Sequence, residues 1–504
     1  MSPCFVGIDS GTQSTKAILI DGDTGKILAQ TSISYKTLPG LPDGVQEQHP
    51  KTWVDAMESA IRTVVSASKL KPEHIKGIGV SGQQHGFVPL DEKGHVIRPA
   101  KLWCDTSTAP QAEILIRKLG GLPAIIELTG NGIPCGFTAS KIFWLKLKEP
   151  KNYQRLAHIL LPHDYLNYHL TGKIVTEAGD ASGTALFNSR TRSWETRMTD
   201  AIGPEVLDKL PPIQMSEQIV GELLPHVATR LGLTPTTIVS SGGGDNMMGA
   251  IGTGNTKIGI VTASLGTSGT IYAYSSRPII DPLGEIASFC DSTGAWLPLA
   301  CTMNVTVATE LVKNAFSWDN DRLTKEISSI PPGADGLFLL PYFNGERVPD
   351  LPSAKAAFLG LTAKNFTQAH LARATMEGVT LGLNYGLNRL RDLGIRPKQI
   401  RITGGGSKNP LWRQMLADIF DAEVVCLQTA EGAAFGAALQ ARWSHGLYRG
   451  EKTKISQITD RLVKIDKTTL TKPNRENSKF YRTLQIRFSE LTAKVASTDR
   501  FRAR

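Results

Sequence analysis

Short apolar runs broken by glycine-containing turns open the chain, and their alternation predicts strands over 5–8, 16–20 and 27–34. The period then lengthens: Trp53, Met57, Ile61 and Val64 recur at helical spacing and predict a helix over 52–67. A strand over 75–81 leads into Gly82-Gln83-Gln84-His85-Gly86, and helices fit 109–118, 138–148 and 164–170. A strand over 237–240 ends in Ser241-Gly242-Gly243-Gly244-Asp245-Asn246, with a helix beginning over 247–251.

The second half repeats the scheme. Strands fit 256–263 and 269–274, a long helix fits 367–393, and 394–397 supply the stop signals Gly394 and Pro397. A strand over 399–403, a helix over 411–420, a strand over 424–427 and a helix over 430–442 follow. Each half thus reads as hairpin strands followed by alternating helices and strands, which is an α/β arrangement of mixed sheets with helices on their faces. The boundary is expected near residues 247–256.

Composition narrows the class. Six cysteines carry no C-x-x-C spacing, so neither a zinc site nor a disulfide framework is expected, and a reducing cytoplasm is the natural setting. No apolar run approaches the ~18 residues of a membrane span, and a strand at the very start leaves no room for a signal peptide. The formal charge is +10, but residues 446–504 hold 15 Lys and Arg against 6 Asp and Glu, leaving 41 against 40 elsewhere. That excess reads as a solvated basic terminal segment, 448–504, with a partly amphipathic helix through Tyr481, Leu484, Phe488, Leu491 and Val495. No nucleic-acid motif accompanies it, so a nucleic-acid partner is not expected.

Two similar turns carry candidate chemistry: Asp9-Ser10-Gly11-Thr12 and Ser264-Leu265-Gly266-Thr267. Backbone N–H groups at glycine turns can converge on an anion, and a threonine hydroxyl adds a donor, so the pair could grip a polyphosphate. A third loop, Thr403-Gly404-Gly405-Gly406-Ser407, follows a strand and precedes the helix opened by Pro410. Asp245, after three glycines and before a helix, reads either as a helix cap or as a carboxylate that substrate can approach. A helix N-terminus would lower its basicity.

These segments resemble the FGGY carbohydrate kinases. The likeness rests on Gly7 to Lys16, Gly82 to Gly86, Gly136 to Leu145, Gly243 to Asn246, Ser264 to Gly269, Gly345-Glu346-Arg347-Val348-Pro349 and Gly404-Gly405-Gly406, in the family's order. It implies two actin-like (ribonuclease-H-like) domains, about 1–250 and 251–447, with mixed sheets flanked by helices and the active site in the interdomain cleft. It further implies transfer of the ATP γ-phosphoryl group to a sugar hydroxyl, the O5 of D-xylulose, with another ketose or polyol such as ribulose as the alternative.

In similar kinases the residue matching Asp245 is the catalytic base. By the same resemblance Gln84, His85, Asp245 and Asn246 bind the sugar, and Gly11, Thr12, Gln13, Lys16, Gly266, Thr267, Gly405 and Asn409 bind the nucleotide. Asp9 holds Mg²⁺, directly or through water. Glycerol kinases carry a charged Arg-Glu pair where this chain has Gln84-His85, which argues against glycerol. Three simpler readings stand beside these: Lys16 as an exposed strand lysine, Asn409 as the cap before Pro410, and the small residues after Glu431 as a packing surface. Similar kinases are often homodimers. A different class, an actin-like ATP-binding conformational protein, needs neither a base nor a polyol reader.

Overall fold

The computed structural model describes residues 2–429 and 431–502. Ala430, where the pattern starts a helix, and the last two residues of the expected basic segment lie outside them. The chain forms two units that are not contiguous in sequence: Met1–Lys257 with Tyr274–Leu297 and Glu431–Val463, and Ile258–Ala273 with Pro298–Ala430 and Lys464–Arg504. Chain order would put residues 431–463 with the second half, yet they pack in the first unit.

The first unit is built on strands β1 (Cys4–Ser10), β2 (Ser14–Asp21), β3 (Ile27–Ser34), β4 (Ile75–Gly82), β5 (Ile219–Glu222), β6 (Ile238–Ser240) and β7 (Gly243–Gly244). They run in the order β5-β6-β4-β1-β2-β3, with β7 beside the end of β4. Strand β1 is antiparallel to β2 and parallel to β4. Its apolar positions Val6 and Ile8 join Ile78 and Val80 of β4 in a core that buries Trp53, Met57, Ile61 and Val64 of the Pro50–Ser68 helix. The helical spacing of those four residues is therefore a burial pattern. Edge strand β3 alternates half-buried and exposed positions, as a sheet face turned partly to water does.

Another helix, Gly432–Tyr448, lies against β1, β4 and the Asp245–Gly252 helix. Its small residues make this possible. A Cβ on Gly436 would sit 1.8 Å from the Met248 carbonyl oxygen, and one on Gly252 would sit 1.8 Å from that of Gly432. The sheet side is as tight, with Gly7 facing the Ala434 carbonyl and Gly79 that of Ala437. Packing accounts for the small-residue run after Glu431.

The second unit has strands β8 (Ile260–Leu265), β9 (Gly269–Ala273), β10 (Trp296–Thr302), β11 (Gln399–Thr403), β12 (Val424–Leu427) and β13 (Ile465–Thr471), in the order β10-β9-β8-β11-β12-β13. Here β8 pairs antiparallel with β9 and parallel with β11. The long helix is Gln368–Asp392, and Pro410–Phe420 follows the glycine loop.

The basic terminal segment is not a solvated appendage. It supplies β13 and the helix Arg475–Arg502, which buries Tyr481 and Phe488. The Tyr481 hydroxyl donates to Glu377 Oε1 at 2.7 Å and accepts from Arg373 Nη2 at 3.0 Å, completing a buried charge pair on the long helix. Tyr481 and Phe488 of the amphipathic pattern are core positions, and Lys479, Arg482, Arg487 and Lys494 are exposed. Tyr481→Phe leaves Arg373 and Glu377 each short of one partner inside the protein, and should destabilise the second unit by about 1–3 kcal/mol. Urea unfolding followed by a probe in that unit checks this; an unchanged midpoint would show the hydroxyl to be dispensable.

Candidate functional site

Strand register brings the sequence-predicted residues of the first unit together. In the parallel pairing of β1 with β4, Asp9 stands beside Ser81 and Ser10 beside Gly82. In that of β7 with β4, Gly243 stands beside Ser81 and Gly244 beside Gly82. Three strands therefore end at one edge: Asp9 lies near the end of β1, the Gln83-Gln84-His85 loop leaves β4, and Asp245 follows β7. Glycine is needed at this edge, because a Cβ on Gly244 would lie 2.6 Å from Gln84 Cγ.

Asp9 accepts a hydrogen bond from Ser81 Oγ at 3.2 Å. Burial pushes its carboxyl up to about 6, with Ser81 and Lys16 opposing the rise. Lys16, its cross-strand neighbour, pairs with Glu431 Oε2 at 3.0 Å. It is thus neither a plain exposed lysine nor a cation awaiting a ligand alone. The Gly11 N–H closes the β1–β2 turn on the Ser14 carbonyl. Thr12 Oγ1 accepts from the Trp103 indole at 2.9 Å and donates to Gln83 Oε1 at 3.2 Å, so its hydroxyl already has two partners. Gln13 is exposed.

Asp245 is the first residue of its helix, and Gly244 is the cap. One carboxylate oxygen accepts from the Asn246 N–H at 2.8 Å and from Asn246 Nδ2 at 3.0 Å. The expected lowering of its basicity by the helix is reversed. Burial, then the charge of Asp9, raises its carboxyl to about 7. The Asn246 amide also donates to Gln84 Oε1 at 3.0 Å. Gln84 is buried, so part of its hydrogen-bonding capacity is spent inside the protein.

His85 adopts a left-handed backbone conformation, φ 64°, and its ring stacks on Phe137 at 4.4 Å. Its carbonyl accepts from Thr138 Oγ1 at 3.2 Å and from Lys141 Nζ at 2.7 Å. Phe137, Thr138 and Lys141 all belong to the 136–145 segment, which explains that motif as the support of the His85 loop. A non-glycine residue held in this region costs about 1–3 kcal/mol, a feature that clusters at functional sites. The Lys141 ammonium, fully buried, is pushed down to about 7 by burial.

The second unit carries the other predicted residues. Because Ser264 pairs with Thr403, the Gly266-Thr267 turn and the glycine loop leave the sheet side by side. Gly404 has φ 84°, and a Cβ there would meet the Leu265 carbonyl at 2.5 Å, so glycine is required. Gly405 is exposed with open space around it, as is fitting where another molecule's backbone or phosphate approaches. Thr267 is exposed as well. Asn409 does cap the next helix, accepting from the Leu411 and Trp412 N–H groups, while its amide donates to Thr324 Oγ1 at 2.8 Å.

Sequence reasoning did not find Asp180, His163 or Asp164, which lie buried behind the Gln84 loop. Their one signal is the run of small residues around Asp180, Ala178-Gly179-Asp180-Ala181-Ser182-Gly183, which allows close approach. Asp105, near Trp103 in sequence, is fully buried and accepts from Lys101 Nζ at 3.0 Å.

The descriptions of the FGGY family of carbohydrate kinases match this chain with their N-terminal domain at residues 4–252 and their C-terminal domain at 261–445. The chain belongs to that family. This kinase is 44% identical to a xylulose kinase of Haemophilus influenzae, over 96% of this chain and 98% of that protein. Among solved structures it is similar to a xylulose kinase from Bifidobacterium adolescentis, with TM-score 0.82, 30% identity and coverage of 96% and 99% of the two chains. It is also similar to a gluconate kinase from Lactobacillus acidophilus, with TM-score 0.92, 25% identity and coverage of 99% and 100%. The kinase has no helix among the described residues long and apolar enough to cross a membrane. None of its six cysteines forms a disulfide.

Proposed function

We propose that this kinase transfers the γ-phosphoryl group of ATP to the O5 hydroxyl of D-xylulose, giving D-xylulose 5-phosphate and ADP. The observation that carries the reading is Asp245. It is a carboxylate tied through Asn246 to the Gln84-His85 loop and raised by burial to about 7, where a base is best matched to neutral solution. Asp245 takes the hydroxyl proton as the O5–P bond forms and the bond to the ADP oxygen breaks. His85 reads hydroxyls with its ring nitrogens, while Gln84 and Asn246 offer the amide groups their mutual bond leaves over. Substrate identity draws on the xylulose kinase relatives.

Gly11, Thr12, Gln13 and Lys16 in the first unit, and Gly266, Thr267, Gly405 and Asn409 in the second, would contact the nucleotide. For Thr12 the backbone is the better-placed donor, since its side chain already has partners, whereas at Asn409 both the side-chain amide and the backbone N–H already donate inside the protein. Magnesium fits the acidic pair Asp9 and Asp245, the charge of Asp9 raising the Asp245 carboxyl. No group of three or more metal-ligating side chains occurs among the described residues, which suits an ion held mainly by phosphates, with Asp9 as its protein partner. Bound there, it would neutralise charge on the transferring phosphate. The working enzyme under this reading is a homodimer in the reducing cytoplasm, a state that sedimentation velocity would report.

ADP release with Mg-ATP across D-xylulose, D-ribulose, L-xylulose, L-ribulose, D-gluconate and glycerol tests the reading. The largest kcat/KM is expected with D-xylulose. Preference for another of these sugars would replace the substrate, and ATP binding without stimulation by any of them would favour the conformational-protein alternative.

A further inference from the structure

The motif Gly345-Glu346-Arg347-Val348-Pro349 supplies none of the residues assigned to sugar, nucleotide or metal, yet its loop is tightly built. Gly345 has φ 68°, and a Cβ there would meet the Pro352 carbonyl oxygen at 2.3 Å. The Glu346 backbone donates to the Leu351 carbonyl at 2.8 Å and accepts from the Leu351 N–H at 2.9 Å, which closes the loop on itself. The Glu346 side chain reaches the segment that follows β10. Its Oε1 accepts from the Met303 N–H at 2.6 Å and from the Arg347 N–H at 2.8 Å, and its Oε2 accepts from Asn304 Nδ2 at 3.1 Å. Asn304 strengthens the join: Nδ2 also donates to the Gly345 carbonyl at 2.7 Å, and Oδ1 accepts from the Asn344 N–H at 3.2 Å. Both side chains are buried.

Asn304 stands just before Val305, the cap of the Thr306–Ala315 helix, and that helix begins on the Gly266-Thr267 turn. The Thr306 N–H donates to the Gly266 carbonyl at 3.0 Å, and the Val305 and Val307 N–H groups donate to the Thr267 carbonyl at 3.2 and 3.3 Å. Donors that a helix leaves over in its first turn are thus spent on the carbonyls of the turn. In a trans peptide the carbonyl and the N–H point in opposite directions. Holding the Gly266 and Thr267 carbonyls on the helix therefore turns the Thr267 and Ser268 N–H groups away from it. Neither N–H meets an acceptor among the described residues, and Thr267 is exposed.

We propose that Glu346 is a positioning residue for nucleotide binding: it holds the Met303-Asn304 segment, which places the start of the Thr306–Ala315 helix, which in turn aims the Thr267 and Ser268 N–H groups at the phosphates. The inference rests on the reading of the Gly266-Thr267 turn as a phosphate grip. A carboxylate suits the task because every group that its oxygens meet is a donor, and an ionised carboxylate only accepts. A glutamine there would set its NH₂ against one of those donors, whichever way the amide is turned.

The test is made on the full-length protein. Glu346→Gln should raise the Kd for Mg-ATP about 10-fold, the factor that one lost hydrogen bond of about 1.4 kcal/mol gives. The Kd for adenosine, which has no phosphate, and the KM for D-xylulose should hardly change. Asn304→Asp sets carboxylate against carboxylate and should weaken Mg-ATP at least as much. Adding Glu346→Gln to it should recover affinity in part, because the new amide can donate to the new carboxylate. An unchanged Kd for Mg-ATP in Glu346→Gln, or an equal loss for adenosine and Mg-ATP, would overturn the proposal, the second outcome marking general loosening of the unit. If Asn304→Asp does not fold, the ratio of the two losses in Glu346→Gln still decides.

Hydrogen exchange in the absence of nucleotide separates the brace from the grip. Glu346→Gln should speed exchange in a peptide spanning residues 303–309, whose first N–H groups lose their fixed geometry. Unchanged exchange there would show that Glu346 does not hold the helix start. Faster exchange with unchanged Mg-ATP affinity would instead remove the turn from the nucleotide site, and with it the aim assigned to Glu346.

Discussion

Asp245→Ala is expected to reduce sugar-dependent ADP release by about 10³-fold, within the 10²–10⁴ that a positioned base supplies, with little change in the KM for either substrate. The carboxylate sits at the N-terminus of the Asp245–Gly252 helix, where a dipole would favour its charge, yet burial and then the charge of Asp9 hold the proton on up to about 7. Below that pH the base is protonated and idle, so kcat/KM at low Mg-ATP should climb with pH through about 7 and then level off. Asp9 is itself raised to about 6, and its charge adds to the rise at Asp245, so its ionisation shapes the same limb. A profile flat from about pH 5.5 to 8 would remove Asp245 from the base role, since an ordinary carboxylate near 4 is ionised throughout.

Stability runs the other way. The folded chain binds this proton more tightly than the unfolded chain does. Asp245's contribution to stability is therefore complete below the ordinary carboxylate value of 3.8 and is lost as pH rises from there towards about 7. Activity and stability at this residue thus have opposed pH dependences, as a reactive group kept poised inside a fold requires.

How much of this was legible beforehand depended on the reach of each signal. Period and turn chemistry are local, and they located β1, β2, β3, β4 and the helix carrying Trp53, Met57, Ile61 and Val64. The turn glycines and Asp245 were visible for the same reason. Register is not local: nothing near Asp9 states that it will stand beside Ser81, or near Gly243 that it will too. Charge counted along the chain misread the terminal segment, because an average over 446–504 hides that Tyr481 and Phe488 face inward. Asp180 and His163 escaped notice because their pairing joins residues 17 positions apart in sequence. The reversed basicity of Asp245 has the same origin, since a dipole can be read from one helix but desolvation requires the whole surround.

Gly436→Ala should all but abolish soluble, folded protein, while Gly432→Ala, four residues earlier in the same helix, should be harmless. The chemical change is identical, one methyl group. At Gly436 it would lie 1.8 Å from the Met248 carbonyl oxygen and 2.7 Å from the Gly252 nitrogen, so backbone rather than a movable side chain must give way. At Gly432, the first residue of the helix, no described atom lies within 4 Å. The obstructed backbone at Gly436 is that of the helix which begins with Asp245. The Gly432–Tyr448 helix also meets β1 through Gly7, two residues before Asp9, and β4 through Gly79, which leads to the Gln84-His85 loop. One small-residue helix therefore sets the spacing of all three elements that converge on the site. A loss of more than about 4 kcal/mol, at the far end of what single substitutions do, is expected for Gly436→Ala in urea unfolding. Protein that still folds should turn over at least 10²-fold more slowly, because Asp245 moves with its helix. Equal behaviour of the two variants would mean that the helices can part without consequence, and that Asp245 is aimed by the sheet alone.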